Sequence, residues 1–320
     1  MARLGKRADA RHWAAINEAS FVGGMRLLFW VCRVFGRWPF QAVLYPVLLW
    51  YVATQGRARR ASSMYLARVG APHGVFGVVR HFGAFAESIL DKMLLWGGRF
   101  DVSTVSLHGA RPLLEMIEAR RGALLVCAHL GNLDLCRALS LRTPGLKVTV
   151  LVHTRHAEAF NAMLASLDPR SQLNLMQVTD MTPAMAMLLS ERIDRGEFVV
   201  IAGDRVPVAH PGHASPNVAV APFLGRDAAF PVGPYVMASV LGCPLYTMFA
   251  VRQGARHELH FECLRERVTL PRGARQQALA ELAAVFATRL EHHVRRAPLE
   301  WFNFYDFWHI PGTERPDAAS

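Results

Sequence analysis

Short apolar runs of strand length alternate with helical stretches from about Ser103 onward, and this alternation restricts the possible folds more than any other feature. The strand runs are continuously apolar, as in strands that helices cover on both faces. We therefore predict an α/β fold over residues 101–320, with a mostly parallel central sheet flanked by helices. The predicted strands are 105–107, 123–128, 148–152, 175–178, 198–202, 218–222, 245–251 and 259–263. The predicted helices are 112–120, 132–141, 157–167, 183–195, 231–241 and 275–296, with Pro183 and Pro231 at helix starts.

Residues 1–100 form a second predicted region, which is helical, basic and rich in aromatic residues. No Asp or Glu occurs between residues 19 and 86. An apolar run at 40–53 is shorter than the roughly 20 residues that a bilayer requires, and Pro46 interrupts it. We predict a membrane-associated helical hairpin at an anionic leaflet, the alternative being two buried helices packed on the α/β domain. A first helix ending at Trp38-Pro39 would carry a narrow stripe of Arg26, Arg33 and Arg37, and a basic cluster follows at residues 57–60.

The formal net charge of +11 at pH 7 favours an anionic partner: nucleic acid, phospholipid headgroups or an acidic carrier protein. No nucleic-acid-binding module is recognisable, and the apolar, Trp-rich amino-terminal region favours a membrane surface.

The five cysteines have neither disulfide nor zinc-site spacing, so we expect reduced thiols. The first twenty residues hold no apolar core of a secretory signal. We expect the protein at the cytoplasmic face of the inner membrane.

One predicted strand, 123–128, is followed directly by His129, with Asp134 five residues later. Ligands of open α/β sheets bind at the carboxyl ends of strands, where His129 would lie. Gly131 allows a tight turn, and Asn132 is a suitable N-cap. We predict that Asp134 reaches back to accept a hydrogen bond from Nδ1 of His129, which leaves Nε2 as a general base for an attacking alcohol. A structural histidine in a βα loop is the alternative.

Several motifs follow one another along the chain: Arg80-His-Phe-Gly-Ala-Phe-Ala-Glu-Ser, His129-Leu-Gly-Asn-Leu-Asp134, Gly203-Asp204-Arg205, Phe223-Leu-Gly-Arg226, Phe230-Pro-Val-Gly-Pro234 and Trp301-Phe-Asn-Phe-Tyr-Asp-Phe-Trp308. In this order they resemble the motifs of the glycerolipid and lysophospholipid acyltransferase superfamily. Within it, the chain is similar to the lipid A late acyltransferases, the lauroyl and myristoyl transferases. Many of those enzymes carry Glu where this chain has Asp134. The resemblance implies transfer of a fatty acyl chain from acyl carrier protein, or from coenzyme A, to a hydroxyl of a lipid or glycolipid, without a covalent intermediate and without a cofactor.

Other predicted site residues follow further strands. An Asp204-Arg205 pair at a strand end can position a substrate or bind phosphate, although it can also be a structural ion pair. The resemblance implies that the loop holding Arg226 binds a phosphate or polar headgroup; a solvent-facing arginine is the alternative. The predicted substrate-binding residues are Asn132, Asp204, Arg205, Gly225 and Arg226. The acyl-pocket candidates are Phe223, Trp301, Phe304 and Tyr305, with core packing as the alternative for the aromatic block.

Three other functions compete with acyl transfer. A metal enzyme would use pairs such as His153/His156 or His210/His213, but neither pair has a third ligand at a recognised spacing, so we predict no metal. A serine hydrolase is disfavoured because the chain has no Gly-x-Ser-x-Gly elbow, whereas a thioesterase or lipid hydrolase using His129 on water stays open. The third alternative is a non-enzymatic protein that binds a membrane surface.

Overall fold

The computed structural model describes residues 34–35, 38–96, 98–136, 146–152, 173–177, 182–206, 217–254 and 256–310. Its α-helices are α1 (Trp38–Thr54), α2 (Gly56–Val69), α3 (Val75–Trp96), α4 (Arg111–Glu118), α5 (Pro183–Asp194), α6 (Gly233–Leu241) and α7 (Arg275–Arg296). Its strands are β1 (Ser106–His108), β2 (Ala123–Cys127), β3 (Val148–Val152), β4 (Leu173–Gln177), β5 (Phe198–Ala202), β6 (Val218–Phe223), β7 (Arg226–Pro231), β8 (Leu245–Gln253) and β9 (Arg256–Arg265).

Within the described part of the chain, seven strands form the central sheet, in the order β1-β9-β8-β2-β5-β3-β4. All neighbouring pairs are parallel except the hairpin of β8 and β9. Every residue of β2 is buried, as its unbroken apolar sequence requires of a strand covered on both faces. Helices α5, α6 and α7 pack on the strands. The predicted mostly parallel sheet flanked by helices is confirmed.

A separate two-stranded sheet holds β6 and β7, which form an antiparallel hairpin packed on α7. The sequence analysis missed β7 and assigned Pro231 to a helix start. In the structure Pro231 ends β7, and α6 begins at Gly233 with Pro234 in its first turn. The turn has Leu224 and Gly225 at φ 49° and 76°, as a two-residue hairpin of type I′ requires. Leucine is an unusual residue in that conformation, which is why the turn was not recognised.

The amino-terminal region differs from the prediction in its helix bounds. Helix α1 begins at Trp38 and continues through Pro46, so Trp38-Pro39 starts this helix, and the end predicted for a preceding helix falls on residues outside the described ones. Proline is tolerated in the first turn because the amide there has no partner within the helix. Among the described residues, no helix is both long and apolar enough to cross a bilayer. The predicted stripe of Arg26, Arg33 and Arg37 lies outside the described residues.

The chain divides into two compact units, Met1–Val47 and Leu48–Ser320. Within the second unit, α2 and α3 pack together, and the Ser62 hydroxyl is 2.8 Å from Nδ1 of His81. The Nε2 atom of His81 is 2.9 Å from the carbonyl oxygen of Trp301, which joins these helices to the carboxyl-terminal segment. Among the described residues before Ser106, the regular structure is helical, and the first described strand starts at Ser106. The membrane-associated region proposed for residues 1–100 stays a prediction.

Predicted element bounds agree with the structure where strands or helices are strongly patterned. Three predictions match the observed bounds: β3, β5 and α7. The helix predicted at 132–141 starts with a 3₁₀ turn at Leu133–Leu135 and is α-helical at Cys136, and its remaining residues lie outside the described ones. The helix predicted at 157–167 lies outside them.

Candidate active site

His129 and Asp204 lie beyond the ends of two adjacent parallel strands. β2 ends at Cys127 and β5 at Ala202, and these two residues are opposite each other in the sheet. The amide of Gly203 continues the pairing by donating to the carbonyl oxygen of Cys127 at 2.8 Å. The second residue after each strand end is therefore held beside its counterpart. The prediction that both residues occupy the same edge of the sheet is confirmed by this register.

The carboxylate of Asp204 receives three hydrogen bonds. Its Oδ1 is 2.8 Å from Nδ1 of His129, and its Oδ2 is 2.9 Å from the backbone nitrogen of the same residue. The indole nitrogen of Trp301 donates to Oδ2 at 3.0 Å. Asp204 is 2% exposed, so these donors replace the water that a surface carboxylate would have.

The charge state of Asp204 determines the tautomer of His129. Burial by itself raises the pKa of Asp204, but the adjacent His129, its hydrogen bonds and Arg205 outweigh burial and hold that pKa below its usual range. An ionised carboxylate only accepts hydrogen bonds, so Nδ1 of His129 carries the hydrogen. Nε2 then holds a lone pair. The side chain is 34% exposed, and no hydrogen bond joins its Nε2 to another described residue.

Asp134 does not bond to His129, which corrects the predicted geometry. Its carboxylate lies 2.7 Å from Nζ of Lys92 in α3. Its backbone amide donates to Oδ1 of Asn132, which begins the 3₁₀ turn. The chain turns at Gly131 with φ 63°, and the 3₁₀ turn that follows packs on α3. The carboxylate is thus directed toward α3, and the place beside Nδ1 belongs to Asp204. A catalytic role for Asp134 stays a prediction.

The loop that carries His129 is held by the segment at residues 300–302. The carbonyl of His129 accepts from the amide of Phe302 at 2.8 Å, and the amide of Gly131 donates to the carbonyl of Glu300 at 2.8 Å. A β-bridge joins Leu130 and Trp301 between these bonds. A Cβ on Gly131 would lie 2.3 Å from the carbonyl oxygen of Ala250, so only glycine fits this close approach.

Glu300 belongs to a partly buried group of three carboxylates around one guanidinium. Arg252 contacts Glu87 at 2.7 Å, Glu300 at 3.3 Å and Asp91 at 4.0 Å. Burial raises the pKa of Glu300 to about 7, with the attraction of Arg252 opposing the rise and the other carboxylates adding to it. This group connects α3, β8 and the segment that supports the His129 loop.

The other predicted substrate-binding residues lie at different distances from the pair. Arg205 follows Asp204 directly, is exposed, and donates to the carbonyl of Phe302 at 3.1 Å. Asn132 is buried, and its Nδ2 has no partner among the described residues. Gly225 and Arg226 lie at the turn of the β6–β7 hairpin, where Arg226 is exposed. The structure brings Arg205 next to Asp204 and His129, whereas no hydrogen bond or ion pair in the described residues connects Arg226 with His129.

The four acyl-pocket candidates divide by exposure. Phe223 and Trp301 are fully buried and pack ring against ring, with centroids 5.3 Å apart. Phe304 is half-buried and stacks on Phe82 at 4.3 Å, and Tyr305 is 42% exposed. Phe223 and Trp301 thus have the burial of core residues, and only Phe304 and Tyr305 retain surface for a bound chain.

A buried serine and histidine pair, Ser62 and His81, is not a nucleophilic site. Both residues are 0% exposed. The two ring nitrogens of His81 are used by the Ser62 hydroxyl and the Trp301 carbonyl. Burial lowers the pKa of His81 to about 4, so its ring is neutral and structural. The histidines His153, His156, His210 and His213, considered above as metal ligands, lie outside the described residues.

Sequence reasoning missed one residue at the site and gave another a different role. Lys92 pairs with Asp134, and a signal for it was present, because the chain has only three lysines among 36 basic residues. Trp301 was assigned to the acyl pocket, but its indole nitrogen holds Asp204. No local pattern identifies that contact, since 97 residues separate the two positions.

The fold and the site define an α/β protein whose His–Asp pair lies at the strand ends of a mostly parallel sheet, where ligands of such sheets bind. The family model described as bacterial lipid A biosynthesis acyltransferase matches residues 100–309, which is more than half of the 320 residues. The chain belongs to this family of acyltransferases, and the resemblance found in its motifs is confirmed. A comparison with curated proteins found no match.

Proposed function

We propose that this protein transfers a fatty acyl chain from an acyl carrier protein thioester to a hydroxyl of a lipid A precursor or related glycolipid. Membership of the family supports acyl transfer in lipid A biosynthesis. The observation that carries the mechanism is the hydrogen bond from Nδ1 of His129 to Asp204, because it leaves Nε2 able to accept a proton. Coenzyme A is the other candidate donor.

In the proposed reaction, Nε2 of His129 removes the proton of the acceptor hydroxyl as its oxygen attacks the thioester carbonyl. The tetrahedral intermediate then collapses, the carbon–sulfur bond breaks, and the imidazolium returns its proton to the departing thiolate. The ester and the free thiol account for all atoms, and no covalent enzyme intermediate forms. Asp204 keeps its charge throughout and stabilises the imidazolium that forms.

Charged residues support the choice of substrates. Arg205 is exposed directly beside the His129–Asp204 pair and can pair with a phosphate of the acceptor or of the donor's phosphopantetheine. Arg226 at the hairpin turn is a second candidate for the same role. The net charge of +11 suits both an acidic carrier protein and anionic lipid headgroups. We further propose that the protein acts at the cytoplasmic face of the inner membrane, held there by its amino-terminal region.

The test is an acylation assay with purified protein, acyl carrier protein loaded with a labelled fatty acid, and a lipid A precursor. We expect mass spectrometry to show an added acyl ester, and His129→Ala to lower its formation by about 10²–10⁴-fold because the general base is lost. Circular dichroism confirms that the variant is folded. Release of free fatty acid at the same rate without acceptor acylation would assign the site to a thioesterase, and full activity of His129→Ala would overturn the mechanism.

A further inference from the structure

Two histidines and a glutamate lie on one face at the edge of the central sheet, away from the His129 site. His108 of β1 is opposite His260 of β9 in the parallel register, and Glu258 precedes His260 by two residues on the same strand. Side chains two residues apart on a strand point to the same face, and residues opposite each other in adjacent strands do so as well. The backbone therefore directs all three side chains to one side of this sheet edge.

The polar atoms of these side chains converge. Nε2 of His260 is 2.9 Å from Oε2 of Glu258, and Nε2 of His108 is 4.0 Å from the same oxygen. One ligand atom from each residue can be chosen so that all three lie within 4.8 Å of one another. Two ligands of one tetrahedral ion are about 3.3 Å apart, as bonds of roughly 2.0–2.1 Å at the tetrahedral angle require. The observed separations lie on both sides of this value, so small rotations bring all three atoms to it.

We infer that His108, Glu258 and His260 form a binding site for a divalent transition-metal ion of the zinc class. Two imidazoles and a carboxylate suit Zn²⁺ better than Mg²⁺ or Ca²⁺, which prefer oxygen ligands. Three protein ligands leave the fourth tetrahedral position to water. The site goes beyond the proposed acyl transfer, which uses no metal, and the sequence analysis predicted none.

Packing holds one of the three ligands in place, since His260 is 9% exposed. The ring of His260 is held between those of His108 and His293, at centroid distances of 4.5 Å and 4.6 Å.

Two adjustments accompany metal binding. The rings of His108 and His260 are stacked within 8° of parallel, and parallel stacked imidazoles cannot both direct their in-plane lone pairs at one ion. His108 has a side chain that is 51% exposed, so it is the ligand free to rotate. Arg296 also contacts Oε2 of Glu258, at 3.4 Å, and competes with the ion for that oxygen. Its side chain is 36% exposed and can move into solvent.

The position of the proposed metal site indicates a structural role. β9 is separated from β2 by β8 alone, with His260 opposite Phe249 and Cys127 opposite Met248. Two strand spacings, roughly 10 Å, therefore lie between His260 and the strand that leads to His129. A metal bound here would join β1, a strand of three residues, to the rest of the sheet. We expect it to raise the melting temperature without entering the acyl-transfer chemistry.

The direct test uses the full chain purified without a polyhistidine tag. Zn²⁺ is titrated in competition with a chromogenic chelator, and Co²⁺ is added separately to record its visible absorption. We expect one Zn²⁺ per chain and the intense Co²⁺ bands of a tetrahedral site. His108→Ala is the first variant, because its exposed side chain can be removed without disturbing the core. It is expected to weaken Zn²⁺ binding at least about tenfold. Removing a residue that merely hydrogen-bonds to a metal ligand already lowers metal affinity about 10–100-fold.

Matched variants keep the result specific. His73→Ala removes an exposed histidine elsewhere and is expected to leave binding unchanged. Glu258→Gln is expected to weaken binding, and Arg296→Gln to strengthen it because a competitor for Glu258 is gone. Unchanged binding in His108→Ala and Glu258→Gln would overturn the assignment. So would loss of the bound ion on replacing His153 and His156, or His210 and His213, with His108 intact.

Discussion

At the scale of single residues, the carboxylate of Asp204 controls which nitrogen of His129 carries hydrogen. Oδ2 accepts from two donors, the backbone amide of His129 and the indole of Trp301, while Oδ1 faces Nδ1 alone. The two oxygens are thus not equivalent. An asparagine at position 204 has a single acceptor oxygen, and the two donors at the Oδ2 position require that oxygen there. Its NH₂ group then takes the position of Oδ1.

Asp204→Asn is expected to lower the acyl-transfer rate by roughly 10²–10⁴-fold. The amide oxygen takes the place of Oδ2, so its NH₂ group faces Nδ1 of His129 and forces the hydrogen onto Nε2. The base is then unable to accept a proton. The steady-state rate and its pH profile are the measurements, with circular dichroism to check the fold. A rate within threefold of the wild-type value would show that Asp204 does not set the tautomer.

Asp134→Asn is expected to reduce the rate by less than about tenfold, because the contact from Nδ1 to Asp204 stays intact. What the variant loses is the ion pair with Lys92, whose side chain is 38% exposed and therefore partly screened by solvent. The two variants are compared in the same assay. An equal or larger loss in Asp134→Asn would return the orienting role to Asp134, as the sequence analysis first placed it.

At the scale of elements, the turn after β2 depends on close contact between backbones. Gly131 has a positive φ and faces the carbonyl of Ala250, while the segment at residues 300–302 pairs with the turn from the other direction. Gly225 also has a positive φ, at the β6–β7 turn, but a Cβ there would meet nothing within 4 Å. Comparing substitutions at Gly131 and Gly225 therefore distinguishes the cost of backbone strain from the cost of steric overlap.

Gly131→Ala is expected to destabilise the protein by more than Gly225→Ala. The control carries only the strain of a left-handed alanine, about 1–2 kcal/mol. Gly131→Ala adds a steric overlap with the backbone of Ala250, which cannot move freely. We expect this overlap to displace the His129 loop and to lower the acyl-transfer rate as well. Chemical denaturation gives both free energies of unfolding. Equal values for the two variants would contradict the tight packing described for this turn.

His81 connects α2, α3 and the carbonyl of Trp301, and its pKa links these elements to pH. Burial lowers that pKa to about 4 from 6.5, so the unfolded chain binds a proton before the folded one does as pH falls. The stabilisation is complete above about pH 6.5 and is lost as pH falls toward 4. At pH 5 the loss from this residue is about 2 kcal/mol.

We therefore expect the free energy of unfolding of the wild type to fall more steeply between pH 7 and pH 5 than that of His81→Leu. Glu300 acts in the opposite direction in this range, because its raised pKa favours the folded state as pH falls. Since Glu300 is present in both proteins, the difference in slope isolates His81. Equal slopes would show that His81 titrates alike in the folded and unfolded chains.

At the scale of the whole molecule, large apolar side chains are exposed on α1 and α3. Trp50 in α1 is 66% exposed, and Phe76 at the start of α3 is 88% exposed. Arg57, Arg59 and Arg60 at the beginning of α2 are exposed too. Exposed aromatics with nearby arginines are suited to a membrane interface, where the rings enter the acyl boundary and the guanidinium groups pair with phosphate.

The protein is expected to bind anionic phospholipid vesicles, with affinity that falls as salt rises because the headgroup attraction is screened. Replacing Trp50 and Phe76 together by alanine should weaken binding by roughly tenfold or more, since burying each ring contributes about 1.5–3 kcal/mol. Met187→Ala, which removes another exposed apolar side chain, is the matched control. Cosedimentation measures the bound fraction. Equal losses in the double variant and the control would contradict a membrane surface at these helices.

The class of fold and the position of the candidate site can be predicted from local sequence patterns. β2 and β5 are continuous apolar runs that end two residues before His129 and Asp204, and a buried parallel strand carries its functional residues just beyond its carboxyl end. Both signals are local, so no tertiary contact is required to read them. The aromatic motif at residues 301–308 and the strand-end motifs identified the family for the same reason.

The identity of the carboxylate that bonds to His129 depends on tertiary contacts. Asp134 is five residues away in the chain, but Gly131 and the 3₁₀ turn direct it to Lys92, whereas strand adjacency places Asp204 beside Nδ1 across 75 residues of sequence. Trp301 donates to Asp204 across 97 residues of sequence. Which strands are neighbours, and in what register, depends on the packing of the whole sheet, and spacing along the chain does not contain that information.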